Sequence, residues 1–306
     1  MDISICLCTF RRPDLLARLL AQLCRQRPVP GLPDWEIVVV DNDPAHSARA
    51  VLEAFAVQNP GRLRHAHSPS PNISLARNQA LALARGRWLA LIDDDEEPAE
   101  DWLQKLAATQ VQTGADLVFG PVLPIYPADM PAWLRDGGYY ERPRHPSGTV
   151  IGTHDARTGN VWARAESLRL LPGPFDAAFG QTGGEDSLLF RQLQARGQRF
   201  VWCDEAAVHE AVPPDRANAR WLLRRAHRIG QTWLRGELHG LAGATRLRRM
   251  LGLCARAGLQ LLVASGLALL LAPLSRIRSF YWLRKACTQW GKLSAATGAS
   301  YREYAA

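Results

Sequence analysis

Three short, nearly uninterrupted apolar runs constrain this chain more than any other feature: "ISICLCTF" from Ile3, "EIVVVD" from Glu36 and "RWLALID" from Arg87. A strand that is apolar on both faces must be covered on both faces, which marks a mostly parallel sheet sandwiched by helices. The segments between these runs have helical periodicity. In "PDLLARLLAQLCRQ", Leu15, Leu16, Leu19, Leu20 and Leu23 fall on one face, and "SARAVLEAFAV", "SLARNQALALARG" and "PAEDWLQKLAATQVQTG" follow the same rule. Gly86 is expected to close the third of these helices, and Pro98 and Gly114 to bracket the fourth. With "RLRHAH" as a weaker strand the order is βαβαβαβα. The predicted fold class is therefore α/β, Rossmann-like, with a mostly parallel central sheet and helices on both faces. Such sheets bind ligands beyond the carboxyl ends of their strands, where Asp41 and Asp93 both fall.

From Gly120 to about Gly159 the periodicity is lost and Pro, Gly and aromatic residues accumulate. A stretch of that length is more often a functional loop than a connector, and Trp133, Tyr139 and Tyr140 are either ligand-stacking surfaces or plain loop packing. Order returns with "NVWARAE", a glycine-rich loop "GQTGGED", a helix through "SLLFRQLQARG" and the strand-like "QRFVWCDEAAVHE". An amphipathic helix, "RANARWLLRRAHRIGQTWLR", places Leu222, Ala226, Ile229 and Trp233 on one side and Arg220, Arg224 and Arg228 on another.

Charge divides the chain more sharply than pattern does. The total is +8, yet from Arg216 onward sixteen Lys and Arg stand against only Glu237 and Glu303, while the preceding part holds 21 basic and 27 acidic residues. An acidic body with a strongly basic tail calls for a polyanionic partner. Ala257 to Ser275 carries no charge, sits at the lower length limit for a membrane span and has arginine on both flanks. Trp221, Trp233, Trp282 and Trp290 are interspersed with the arginines, which suits a headgroup region. A buried core helix with a solvated basic face is the competing account. Nucleic acid is not the expected partner, because no recognised motif accompanies the charge. The chain is thus expected to divide into a catalytic α/β domain, 1–212, and a basic helical membrane-associating region, 213–306. The six cysteines have no zinc spacing and are read as reduced thiols, and "MDISICLCTFRRP" lacks the features of an export signal.

Two acidic constellations carry the chemistry. In "LIDDDEEP", Asp93, Asp94 and Asp95 follow a buried strand directly, and crowded carboxylates at a ligand edge suit a divalent cation shared with substrate phosphates. A solvated acidic turn leading into a helix is the alternative, and it accounts well for Glu96, Glu97 and Glu100 at a positive helix end. In "GQTGGEDSLLF", two glycines precede Glu185 and Asp186 at a helix start, more than ordinary capping requires.

The residues together resemble the family 2 glycosyltransferases, inverting enzymes of the GT-A fold that use nucleotide-diphospho-sugars. The resemblance rests on "CTFRRP", "VVVDND", "NISLARNQAL", "LIDDDEEP", "GGED" and "VHE", in that order over residues 1 to 235, and is greatest to the succinoglycan-type exopolysaccharide glucosyltransferases. It implies that Thr9, Phe10, Arg11, Asp41 and Arg77 line the nucleotide pocket, with Asp41 reading the uracil edge. It further implies that Asp93 and Asp94 lie on the nucleotide side, that Asp95, Asp93 and His209 hold Mg²⁺ or Mn²⁺, and that Asp186 is the catalytic base supported by Glu185. Ala217 replaces the glutamine of the processive Q-x-x-R-W motif, which favours addition of a single sugar. The implied reaction is transfer of one hexose, with UDP-glucose the first candidate donor, to a polyprenyl-diphosphate-linked oligosaccharide at the cytoplasmic face of a bacterial inner membrane. A nucleotidyl or phosphoryl transferase using two metals and a non-catalytic sugar-nucleotide or glycan-binding subunit are the alternatives.

Overall fold

In the computed structural model, residues 1–299 are described; Arg302 and Glu303 of the basic tail lie outside them. The chain runs β1 (Ile3–Thr9), α1 (Pro13–Leu23), β2 (Trp35–Asp41), α2 (Arg49–Gln58), β3 (Leu63–His67), α3 (Ile73–Leu83), β4 (Trp88–Ile92), β5 (Glu96–Pro98) and α4 (Trp102–Thr113). There follow β6 (Leu117–Phe119), β7 (Val122–Ile125), α5 (Ala132–Arg135), β8 (Asn160–Arg164), α6 (Ala165–Arg169), α7 (Glu185–Ala195), β9 (Phe200–Trp202), β10 (Val208–Ala211), α8 (Ala219–Glu237), α9 (Gly243–Leu271) and α10 (Arg276–Ala296). The apolar runs make the centre of a seven-stranded sheet of order β3-β2-β1-β4-β8-β6-β9, parallel throughout except for β8. Ile5, Val38, Val39 and Ala90 are fully buried, so helices cover both faces as the double-sided apolar pattern requires.

The chain winds outward from β1 to β3 and then returns to place β4 on the other side of β1. That reversal opens a crevice between the carboxyl ends of β1 and β4. A second, three-stranded sheet, β5-β10-β7, closes one side of it.

Two local expectations are corrected. Gly86 does not cap α3, which ends at Leu83; it lies against β1, where a Cβ would meet the Ser4 backbone nitrogen at 2.4 Å. Pro98 does not open a helix. The chain beyond Asp95 pairs antiparallel with β10, and α4 starts only at Trp102. The aromatic residues of the 120–159 segment largely serve packing: Tyr139 is buried against Phe280 and Trp133, while Tyr140 is buried, stacks on Trp221 and borders the crevice.

The C-terminal helices form a layer of their own. α8 and α10 cross closely at two glycines, where a Cβ on Gly230 would sit 2.0 Å from Thr288 O and one on Gly291 1.9 Å from His227 O. The buried stripe of α8 is consequently Leu222, Ala226, Gly230 and Leu234, and Ile229 and Trp233 are exposed instead. α9 begins 14 residues before the uncharged segment, taking in Arg246, Arg248, Arg249 and Arg256. It packs through Ala257, Ala264 and Ala268, and leaves Leu259, Leu262, Leu269 and Leu270 exposed.

Candidate active site

The crevice is a cleft of about 420 Å³, within the range of roughly 300–1,000 Å³ that small-molecule sites occupy. The end of β1 supplies Thr9 and Phe10, and the turn after β4 supplies Asp93, Asp94 and Asp95. Thr9 Oγ1 donates to Asp94 Oδ2 at 2.7 Å, and Arg12 Nη1 donates to Asp94 Oδ1 at 3.0 Å and Asp95 Oδ2 at 2.6 Å. Asp93 opens onto the cleft and accepts from Arg77 Nη2 at 3.2 Å, while Arg77 Nη1 donates to Glu185 Oε1 at 2.6 Å. One arginine on α3 therefore joins the two acidic constellations that the sequence separates by about ninety positions.

Glu185 is buried at the start of α7, with Oε2 lacking a partner. Asp186 is half-buried beside it and accepts from Ser187 N at 2.6 Å, and its charge is felt at Asp93. The glycines ahead of the pair are required. Gly183 and Gly184 have φ of +79° and +95°, and a Cβ on Gly184 would press on Thr232 of α8.

Burial raises the pKa of Asp93, against the pull of Arg77, and raises Asp94 to about 6 against Arg12. Burial also raises Glu185, again opposed by Arg77. Glu210 on β10 is raised by burial and by the charges of Asp95 and Asp93. Carboxylates held in this way lack positive charge. Among the described residues no three His, Cys, Asp or Glu side chains converge closely enough to enclose a cation. What fits is a cation on one or two carboxylates whose remaining ligands come from a substrate, the usual arrangement for Mg²⁺.

The structure redistributes several anticipated roles. Asp41 does not reach the cleft: it is fully buried, with Oδ1 accepting from Asp43 N at 3.0 Å and Oδ2 from Ala48 N at 2.9 Å. Arg11 turns away with φ +56° to pair with Asp43 at 3.1 Å, and Arg12 enters the cleft in its place. His209 is exposed and does not line the cleft; strand alternation gives that position to Glu210. Glu96 does not serve the following helix. It is buried and accepts from Asp93 N at 2.9 Å, which props the aspartate turn from behind.

The opposite wall is cationic. Arg142, Arg216, Arg225 and Arg228 line it together with Trp221. Burial, with Arg142 nearby, lowers Arg225 to about 10. Sequence pattern assigned Arg216, Arg225 and Arg228 alike to a basic tail and did not place them at the site. The available signal was the i, i+4 spacing of Trp221 and Arg225 on α8, which puts them on one face.

The family model for glycosyl transferase family 2 matches residues 4–169. The chain belongs to that family and is a glycosyltransferase of GT-A fold. It is 38% identical over 250 residues to the succinoglycan biosynthesis protein ExoM of Rhizobium meliloti, covering 80% of this chain and 79% of that one. A glucosyl-dolichyl phosphate glucuronosyltransferase of Haloferax volcanii is 23% identical over 239 residues, 74% of each chain. Among solved structures it superposes on the mannosyltransferase PcManGT from Pyrobaculum calidifontis, in complex with GDP-Man and Mn²⁺, with a TM-score of 0.63, 19% identity and coverage of 96% and 87%. The S. aureus protein TarS, residues 1–349 in complex with UDP, gives a TM-score of 0.55 at 17% identity, covering 99% of this chain and 93% of that one.

Proposed function

We propose that this protein transfers one hexose from a nucleotide-diphospho-sugar, UDP-glucose first among donors, to a polyprenyl-diphosphate-linked oligosaccharide in exopolysaccharide or related cell-surface polysaccharide synthesis, with inversion at the anomeric carbon. The observation that carries the reading is the Arg77 bridge, which ties Asp93 in the cleft at the sheet's crossover to Glu185, the neighbour of Asp186, at the start of α7. Its likeness to ExoM supports the pathway class.

Asp93 and Asp95 would hold Mg²⁺ or Mn²⁺, with Glu210 adjacent and the donor's phosphates completing the shell. When bound, the ion supplies charge compensation for the departing nucleoside diphosphate. Thr9, Phe10 and Arg12 flank the donor, and Arg12 and Arg77 keep the aspartates in place before it arrives. Asp186 takes the proton from the attacking acceptor hydroxyl. Glu185, held by Arg77, supports it, and the attack from the face opposite the leaving group turns an α-linked donor into a β-glycoside. Asp41 serves the nucleotide end indirectly, by fixing the loop after β2.

The exposed leucines of α9 and its arginines support docking on the cytoplasmic face of the bacterial inner membrane. α9 is the only helix among the described residues long and apolar enough to cross a bilayer, and it is mostly exposed. α10 returns along it carrying Arg276, Arg278, Arg284, Lys285 and Lys292, charges that a spanning hairpin would bury, so α9 lies in the interface.

The test is nucleotide release from a panel of UDP-, GDP- and dTDP-sugars by purified protein with Mg²⁺ or Mn²⁺ and a lipid-linked acceptor. UDP release with formation of a glycoside is expected. Release of UMP or pyrophosphate, or of nothing from any donor, rejects the reading.

A further inference from the structure

Glu185 and Asp186 stand at the start of α7, but the chain that delivers them is irregular. From Phe175 to Gly184 its one regular element is a 3₁₀ turn, Ala177–Phe179, and it ends in two glycines of positive φ. Glycine restrains the backbone least, so a carboxylate carried beyond such a segment is placed accurately only where neighbouring elements hold the approach.

One flank is held by α3, the helix that also carries Arg77. Asn78 Nδ2 donates to Phe175 O at 2.7 Å and Asn78 Oδ1 accepts from Phe175 N at 2.9 Å. Asn72 Nδ2 donates to Ala177 O at 3.0 Å, and Ile73 N to Gly180 O at 3.1 Å. None of these bonds reaches beyond Gly180. The stretch that leads directly into the carboxylates meets α8 instead.

There Arg235 Nη1 donates to Thr182 Oγ1 at 2.5 Å and Nη2 to Ala178 O at 3.0 Å, and the guanidinium lies 5.1 Å from the centroid of the buried Phe179 ring. The planar fork thus ties together two points of the loop, and Thr182 is itself buried. One turn back on the same face of α8, Thr232 Oγ1 donates to Thr182 O at 3.4 Å, and its methyl fills the space that a Cβ on Gly184 would need. α7 is joined separately to the end of α8, where Arg191 Nη1 donates to Glu237 Oε1 at 2.9 Å. Loss of Arg235 therefore loosens the approach to Asp186 and leaves α7 docked. Arg235 itself does not line the cleft.

We infer that Arg235 is a positioning residue for the transfer reaction: by fixing Ala178 and Thr182 it sets where α7 begins, and hence where Asp186 meets the acceptor hydroxyl. This rests on the transferase reading above. It adds that the C-terminal region completes the catalytic site as well as docking on the membrane, so the division expected at residue 212 cuts through the functional unit.

The experiment measures nucleotide release and glycoside formation by the full-length protein with Mg²⁺ or Mn²⁺, and UDP affinity by calorimetry. Absence of wild-type turnover would overturn the transferase reading and this role with it; turnover that ignores Arg235 would overturn this role alone. Arg235→Gln is expected to lower kcat at least about tenfold, with donor KM and UDP affinity within about twofold of wild type, since a misplaced reacting group costs rate and not donor binding. Arg235→Lys keeps a donor for Thr182 and recovers part of the loss. Thr182→Val removes the accepting hydroxyl from the other side and lowers kcat in the same direction, which keeps the outcome independent of how Arg235→Gln folds. In an Asp186→Asn background Arg235→Gln is expected to cost less than about twofold, because no base is left to place, whereas a role in general stability multiplies the two losses. Unchanged kcat in both Arg235→Gln and Thr182→Val, UDP affinity falling in step with kcat, or an undiminished effect of Arg235 without the Asp186 carboxylate would overturn the positioning role.

Discussion

The carboxyl ends of β2 and β4 have nearly the same sequence signature, an apolar run closed by aspartate, and opposite fates. Asp41 is sealed inside its own loop, each oxygen accepting a backbone N–H. Asp93 opens onto the cleft, shared between Arg77 and solvent, with further carboxylates beside it. The difference lies in the chain that follows. After Asp41 the backbone turns back and presents the N–H groups of Asp43 and Ala48, whereas after Asp93 it runs on through two more aspartates into β5. A carboxylate supplied with its own backbone donors is a structural fastener, and one left short of positive charge is a ligand site.

This contrast can be tested by substitution. The largest effect is expected at the partner of the open site: Asp186→Asn lowers transfer by roughly 10²–10⁴-fold while nucleotide binding, followed by calorimetry, persists. Asp93→Asn comes next, with transfer falling at least about a hundredfold. Its melting temperature stays the same or rises, because the amide no longer repels the neighbouring Asp95 and Asp186. Asp41→Asn shows the reverse pattern. The amide offers one acceptor oxygen where two N–H groups need one each, so stability drops by about 1–3 kcal/mol in denaturant melts. A variant of Asp41 with unchanged stability and abolished UDP binding would reverse the assignment.

The smallest effect is the pH dependence. Asp94 moves from 3.8 to about 6 on folding, so between those values the native state keeps a proton that the unfolded chain has released. Native stability without metal therefore falls as pH rises through that window. A cation competes with the same protons, so the rise in melting temperature produced by Mn²⁺ should be larger at pH 7 than at pH 5. Equal stabilisation at both values would remove the acidic cluster from the metal's shell.

Much of the architecture was legible because it depends on local pattern. Two-sided apolar runs specified the parallel strands, Leu16, Leu19, Leu20 and Leu23 the buried face of α1, and Gly114 the left-handed end of α4. The aspartate triplet and the Gly-Gly-Glu-Asp motif were both visible as chemistry. Elements decided by distant partners were less legible. β5 is a strand because β10 lies beside it, and nothing within "EEP" announces that pairing. Gly230 and Gly291 looked like ordinary helix residues until α8 and α10 were brought together.

The sequence by itself determined which groups are present and at which edge of the sheet they emerge, since period and strand direction are local properties of the chain. Only the tertiary structure decided which of them meet. Arg77 joins Asp93 to Glu185, Arg12 displaces Arg11, Glu210 displaces His209, and Arg235 of α8 reaches the loop ahead of Asp186. The physical reason is that the effect of a charge depends on separation in space and on burial, and neither is a function of distance along the chain.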